Sequence, residues 1–355
     1  MDLIHPRTVS DVVDALRDAS STGRRVLVVG GRRHIDKGDP SQVDAELWTT
    51  QLDQVVAYEP AEMLVVVQAG MRCGELASLL AEHGQEWPAD APEDATVGGV
   101  IASGSSSPRR LRIGALRDTV VEMELVTGDG RVVKSGARTV KNVSGYDVHR
   151  LMTGSLGTLG VITQVALKVR PIAERSMTIV APGATIEHAQ AVVDGVPLVA
   201  GVAATDEAVE VRLEGWADEV EALADATARA VPEAVRDDSI GFPRRPWWAW
   251  EDAGTVVEAA LAPARLPLVL PASSMHAALV GVGIAWIAVD DDTGLSELRA
   301  IVAAAGGVAP AIRGPGGLGD TALPGAAVHH RLAAAFDPAG VLAPGRSWSD
   351  PLIPG

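Results

Sequence analysis

The chain holds a single cysteine, Cys73. One thiol excludes an intramolecular disulfide, a cysteine-ligated zinc site and any iron–sulfur cluster built from this chain alone. Cys73 itself reads as a small, buried, apolar side chain. Basic residues are also scarce, with 30 Lys and Arg against 46 Asp and Glu, a net charge of −16. A surface of that sign repels a phosphate backbone, which argues against nucleic acid and against an anionic membrane as direct partners. Long apolar runs are missing too. Nowhere do about 18 uncharged apolar residues follow one another, and the N-terminus MDLIHPRTVSDVVDALRDA is acidic where a secretory leader is apolar. These absences predict a soluble cytoplasmic protein, peripheral to a membrane only through partners. Histidines at ligand spacing are lacking as well: His188 and His276 stand alone, and His329-His330 opens a tail helix. No metal site is expected, and capping or exposure is the better reading of each.

What is present organises as two units, since 355 residues exceed the usual size of one domain. From Thr8 the apolar spacing predicts a helix with Ser10 as N-cap and Gly23 as stop, then a short strand in RVLVVGG. Strands are expected over 47–56 and 63–67. Between 73 and 83, CGELASLLAEH predicts an amphipathic helix ended by Gly84. A proline-stiffened loop follows at 87–92. The segment VVEMELVTGDGRVVKSG alternates about Gly128-Asp129-Gly130, which predicts a hairpin, and GVITQVALKVRP adds a strand closing at Pro171. Beyond it alanine and valine dominate. Helices are expected at 185–193 and 219–230, strands at 209–213 and 284–289, a Gly/Pro-rich loop over 306–325, and a short helix in the tail.

Three glycine-rich turns carry the chemistry: Gly30-Gly31, Thr96-Val-Gly-Gly99 and GSLGTLG at 154–160. Glycine admits positive φ and close backbone approach, so clustered turns can offer several amides to one diphosphate. Any one of them alone is explained as an ordinary tight turn. Their ordered succession is what points to a ligand. The run Arg109-Arg110-Leu111-Arg112 has two readings, a solvated face or a clamp on a phosphate or carboxylate. Four of the eight tryptophans fall between Trp216 and Trp250; core packing is the first reading of Trp247, Trp248 and Trp250, a partner interface the second.

The turns, together with KNVSGYD at 141–147, GSLGTLGVI at 154–162 and FDPAGVLAPGR at 336–346, resemble the vanillyl-alcohol-oxidase (PCMH) type of FAD-linked oxidoreductase. Within it they are most similar to the small FAD-binding subunits of bacterial glycolate oxidases. The similarity covers residues 1 to about 175 well, the tail moderately and the middle hardly at all. It implies an α+β fold: an FAD-binding domain of two α+β subdomains over 1–172, a small α+β cap over 173–325, and a segment at 326–355 returning to the FAD domain. Carried over position by position, it implies a first phosphate turn of Gly30, Gly31, Arg32, Arg33 and His34. It implies a second of Thr96, Gly98 and Gly99, with Pro88 and Asp90 ahead of it. The stretch passing the flavin contributes Ser103, Gly104, Arg112, Gly114 and Asp118, and the adenosine side Gly157, Gly160, Val161 and Ile162.

The departures matter equally. Arg32 stands where the first turn expects a third glycine, so a residue with a Cβ must take the conformation that turn imposes. Non-covalent FAD is expected, because the histidine that links flavin in parts of the superfamily follows the Gly-Gly pair directly and His34 does not. Ala343 replaces the tail's usual asparagine. No histidine-rich base motif is found between Ile172 and Gly325, which leaves the catalytic residues unassigned; Lys141 and Tyr146 are the nearest candidates. The resemblance implies oxidation of a small 2-hydroxy acid with FAD as acceptor, inside a complex with a catalytic FAD subunit and an iron–sulfur subunit. Two alternatives stay open: a self-sufficient FAD-dependent alcohol or hydroxy-acid oxidase, and a flavin-free scaffold subunit.

Overall fold

A computed structural model describes residues 1–35, 37, 43–138, 145–238, 242–243, 250, 254–270, 275–315, 317, 326–343 and 346. The chain divides into two compact units. The first comprises Met1–Ser105, Ala115–Ile172 and Ala322–Gly355, the second Ser106–Gly114 and Ala173–Thr321.

In chain order the first unit begins with β1 (Asp2–Ile4), α1 (Val9–Thr22), β2 (Val26–Val29), β3 (Ala45–Trp48), β4 (Val55–Glu59) and β5 (Leu64–Gln68). Then follow α2 (Cys73–Ala81), β6 (Gln85–Glu86) and α3 (Val97–Ser103). Helix α1 forms for local reasons. Thr8, not Ser10, is its N-cap: Thr8 Oγ1 accepts from the Asp11 amide at 3.2 Å, and the Asp11 carboxylate accepts from the amides of Thr8 and Arg7 at 2.9 Å each. That reciprocal box needs an acid three residues after the cap, which Thr8 has and Ser10 lacks. Gly23 at φ 72° ends the helix as expected. The buried positions Val12, Leu16 and Ala19 follow helical spacing and pack on Val26 and Leu47. The strand expected over 47–56 is instead two strands, because Thr49–Gln51 turn tightly and the Leu52 carbonyl accepts from Gly70 N at 2.7 Å.

The chain next enters the second unit with α4 (Arg110–Ile113) and returns with β7 (Val120–Val126), β8 (Val132–Gly136), α5 (Val148–Met152), β9 (Val161–Lys168) and β10 (Arg170–Pro171). Strands β1, β3 and β2 make a parallel sheet in the order β1-β3-β2. A five-stranded antiparallel sheet has the order β4-β5-β9-β7-β8, and the β7–β8 pair is the expected hairpin. Its buried side, with Val65, Val67, Met123, Leu125 and Leu167, packs against Leu76 and Leu80 of α2 and Ile101 of α3. Burying each such aliphatic side chain stabilises by roughly 1.5–3 kcal/mol.

The second unit continues with β11 (Arg175–Pro182), α6 (Ile186–Gly195), β12 (Gly201–Thr205), β13 (Ala208–Gly215), α7 (Ala217–Ala230) and β14 (Val235–Asp237). After these come β15 (Thr255–Ala260), β16 (His276–Leu279), β17 (Ile284–Val289), α8 (Asp292–Ala304) and β18 (Ala311–Arg313), and the chain re-enters the first unit with α9 (Ala326–Phe336). The sheet order is β14-β11-β13-β12-β16-β17-β15-β18. Each half is a β-α-β-β-α-β unit whose fourth strand lies beside its first, so the sheet is a duplicated ferredoxin-like motif. A tight helical turn over Pro263–Leu268 replaces the first helix of the second half. The halves join antiparallel through β12 and β16, with Ala204 opposite Ala278. Strand β18 lies inside the stretch expected to be loop; it pairs with β15 across a bulge at Val256/Val257.

The segment Ser106–Gly114, expected within the cofactor unit, clusters with the second unit because its arginines are spent there. Arg109 NH1 meets Glu214 at 3.1 Å with side chains 12% and 4% exposed, and Arg112 NH1 reaches the Leu198 carbonyl at 2.9 Å. The run is therefore neither a solvated face nor an open clamp. Its first arginine is one half of a buried ion pair.

Candidate functional site

The strand β2 runs straight into Gly30 and Gly31, and the residues that follow form one wall of a cavity. Arg32, where the first turn's third glycine is expected, takes φ 58°, a left-handed conformation. Its guanidinium compensates. NH1 donates to both oxygens of Glu46 at 2.9 and 3.0 Å, and the group lies 5.3 Å over the Trp48 ring. Trp48 Nε1 also donates to Glu46, at 2.9 Å. Arg33 is paired with Asp94, and its hydrogen bonds hold the Asp94 carboxyl below the usual carboxylate range. Among the described residues the backbone amides of Gly31, Arg32 and Arg33 donate to no carbonyl or side chain. Three successive free donors lining a cavity form an anion-accepting concavity.

The opposite wall is α3. The Thr96 stretch is a helix rather than a turn, with Thr96 as N-cap accepting from Gly99 N at 3.2 Å. Gly98 N donates to the Ala69 carbonyl at 2.7 Å. The amides of Gly98 and Gly99 are thus occupied by the fold, and their glycines serve close packing instead. A Cβ on Gly98 would stand 2.7 Å from Ala69 Cβ, and one on Gly30 would stand 2.1 Å from Thr96 Oγ1. At the end of α3, Ser103 Oγ contacts Ser105 Oγ at 3.1 Å, which contacts His34 Nε2 at 2.7 Å. The third side comes from Leu156, Gly157 and Gly160 ahead of β9. The Gly157 amide, at φ 80°, also has no acceptor among the described residues.

Residues 3–136 match a family described as FAD binding domain. The chain carries an FAD binding domain, and its cofactor is FAD. The glycolate oxidase subunit GlcE of Escherichia coli (strain K12) is 29% identical over 310 residues, 83% of this chain and 85% of that protein. A mitochondrial D-lactate dehydrogenase [cytochrome] of Arabidopsis thaliana is 32% identical over 193 residues, 53% of this chain but 33% of that protein. The chain thus spans most of the first relative and about a third of the second. A crystal structure of alkyldihydroxyacetonephosphate synthase superposes with TM-score 0.71 at 16% identity, over 96% of this chain and 75% of that one, which shows the fold.

The residues present fit FAD. The free amides of Gly31, Arg32, Arg33 and Gly157 along the cavity's lining suit a diphosphate. Into this cavity the fold brings Gly30, Gly31, Arg32, Arg33, His34, Thr96, Gly98, Gly99, Ser103, Gly157, Gly160 and Ile162. Val161 is buried in the adjoining core, and Gly104 ends α3 at φ 63°. The other expected residues stand elsewhere. Asp90 lines a separate open cavity beside Cys73, and Pro88 is buried outside the lining of either. Arg112 and Gly114 belong to the second unit, and Asp118 is paired with Arg150. For Arg112 and Gly114 the cause is that their segment leaves one unit for the other, which sequence order cannot follow.

Of the further candidates, Lys141 lies outside the described residues, and Tyr146 is 93% exposed. His188 is a cap, accepting from the Thr185 amide at 3.1 Å. Cys73 is mostly buried, which pushes its thiol up to about 12. Trp250 is buried and Trp216 is exposed, while Trp247 and Trp248 lie outside the described residues. Among the described residues no group of three His, Cys, Asp or Glu is placed to hold a metal, and no helix is long and apolar enough to cross a membrane. Sequence reasoning missed Arg346, which lines the cavity from the tail. The signal was the PGR ending of the tail motif, to which no role was attached.

Proposed function

We propose that the chain is the FAD-binding subunit of a complex that oxidises a small 2-hydroxy acid to a 2-oxo acid. The observation carrying this reading is the row of acceptor-free amides at Gly31, Arg32 and Arg33 inside an FAD binding domain, in a chain that aligns with a glycolate oxidase subunit along most of its length. FAD, when bound, supplies the two-electron acceptor. The chain's own part is to fix the cofactor: the Gly31–Arg33 amides and the Gly157 amide take anionic and polar groups, and the Gly30–Thr96 contact keeps the two walls together. The base that removes the hydroxyl proton and the iron–sulfur centre that takes the electrons on belong to partner subunits, since one cysteine cannot build a cluster. The complex works in the cytoplasm and meets the inner membrane only through those partners. FAD is held non-covalently.

Purified protein tests this directly. A yellow preparation that releases FAD on denaturation, and that glycolate or D-lactate bleaches under anaerobiosis only when partner subunits are added, is the expected result. Bleaching by the chain alone makes it self-sufficient. A folded, colourless protein that takes up no FAD ends the reading and leaves a scaffold.

A further inference from the structure

We propose that Arg346 is a positioning residue of the cofactor site: through it the C-terminal segment braces the turn whose free amides face the cavity. The inference rests on the reading of that cavity as the FAD site. Three observations carry it.

First, the tail is built into the strand that delivers the turn. Val26, the first residue of β2, donates to the Val341 carbonyl at 2.7 Å and accepts from Ala343 N at 2.8 Å, a parallel bridge centred on Leu342. Val341–Ala343 is thus a further rung on the free side of β2, four residues before Gly30. Leu342 and Ala343 are buried against Leu27, Val29 and Val161. Asp337 anchors the rung from behind, accepting from Leu342 N at 2.7 Å.

Second, the rung aims Arg346 at the turn. The residue is 5% exposed, lines the cavity, and donates from NH2 to the carbonyls of Ile35 and, at 3.4 Å, His34. Those carbonyls sit on the outgoing limb of the turn whose incoming limb carries the Gly31, Arg32 and Arg33 amides.

Third, the turn's own backbone hydrogen bonds are long. Its backbone bonds, Ile35 N to Arg32 O and Lys37 N to His34 O, are 3.4 and 3.2 Å, and Arg32 stands in a left-handed conformation. Arg346 ties down its far limb from 311 residues away in sequence. A buried guanidinium at the cavity wall also favours an anionic diphosphate over a neutral ligand.

The test compares Arg346→Ala, Arg346→Gln and Arg346→Lys with the parent chain, reading FAD affinity by flavin-fluorescence titration of apoprotein and, separately, apoprotein melting. Loss of charge-assisted hydrogen bonds of this kind weakens FAD binding by roughly 10- to 100-fold in the alanine and glutamine variants. The lysine variant, which keeps the charge but not the planar fork, recovers part of it. The apoprotein melts at most a few degrees lower, because the Val26–Leu342 rung remains. Unchanged FAD affinity overturns the inference, and so does a loss of FAD that only follows a collapse of apoprotein melting across all three variants. A parent chain that takes up no FAD overturns the reading of the cavity itself, whereas a yellow parent with equally yellow variants overturns only the role of Arg346.

Discussion

Replacing Arg32 by glycine separates two opposed forces in the phosphate turn. The left-handed conformation of Arg32, at φ 58°, costs about 1 kcal/mol with a side chain and almost nothing with glycine. Against this gain, Arg32→Gly strips a cation from Glu46, whose side chain is 4% exposed. Removing one partner of a fully buried pair costs about 3–5 kcal/mol. The Arg32 side chain is 45% exposed, so solvent screening reduces that to about 2–3 kcal/mol. The net expectation is destabilisation by about 1–2 kcal/mol, a fall in melting temperature of roughly 2–8 °C for a unit of this size. In a Glu46→Gln background no buried charge is abandoned, and the same substitution should come within about 0.5 kcal/mol of zero. Urea denaturation of the four proteins reads the coupling. Equal destabilisation in both backgrounds, or stabilisation by Arg32→Gly in the parent chain, refutes the argument that Glu46 compensates the strained arginine.

Gly30→Ala should abolish FAD loading, because its Cβ would meet the Thr96 oxygen that caps α3 at 2.1 Å; the flavin-to-protein absorbance ratio checks this, and circular dichroism should show the fold retained. Burial holds the Asp337 carboxyl above its usual value, so its contribution to stability is greatest below about pH 3.8 and is lost as pH climbs through the raised folded value. Asp337→Asn, which mimics the protonated form and keeps an acceptor for Leu342, should therefore gain on the parent as pH goes from about 4 to 7; a variant-minus-parent difference in urea midpoint that stays flat or falls with rising pH contradicts this. With its thiol at about 12, Cys73 should alkylate at pH 8 roughly a thousandfold more slowly in the folded chain than in urea, as thiol titration would show.

Features written in local sequence were legible. The helix over Val9–Thr22 and the Gly128-Asp129-Gly130 hairpin each follow from residues within a few positions of one another. Local rules also misled where a distant contact outweighed them. Two adjacent glycines made α3 read as a turn, yet Gly98 is there to let the helix lie on Ala69. The stretch 47–56 read as one strand, yet the bond from Gly70 to Leu52 bends it. The halves of the duplicated sheet share strand order but no side-chain signature that a single chain would reveal, because alternation of alanine and valine suits any buried strand.

Composition and motif determined that this is an acidic, cluster-free chain with glycine turns fit for a dinucleotide diphosphate, since charge, thiol count and backbone freedom belong to residues one at a time. Tertiary structure alone decided which amides remain free, that Ser106–Gly114 joins the second unit, and that Arg346 reaches the first turn. The physical reason is range: a hydrogen bond is satisfied or left open by whatever the folded chain brings within about 3 Å, and here the partners are up to hundreds of residues apart.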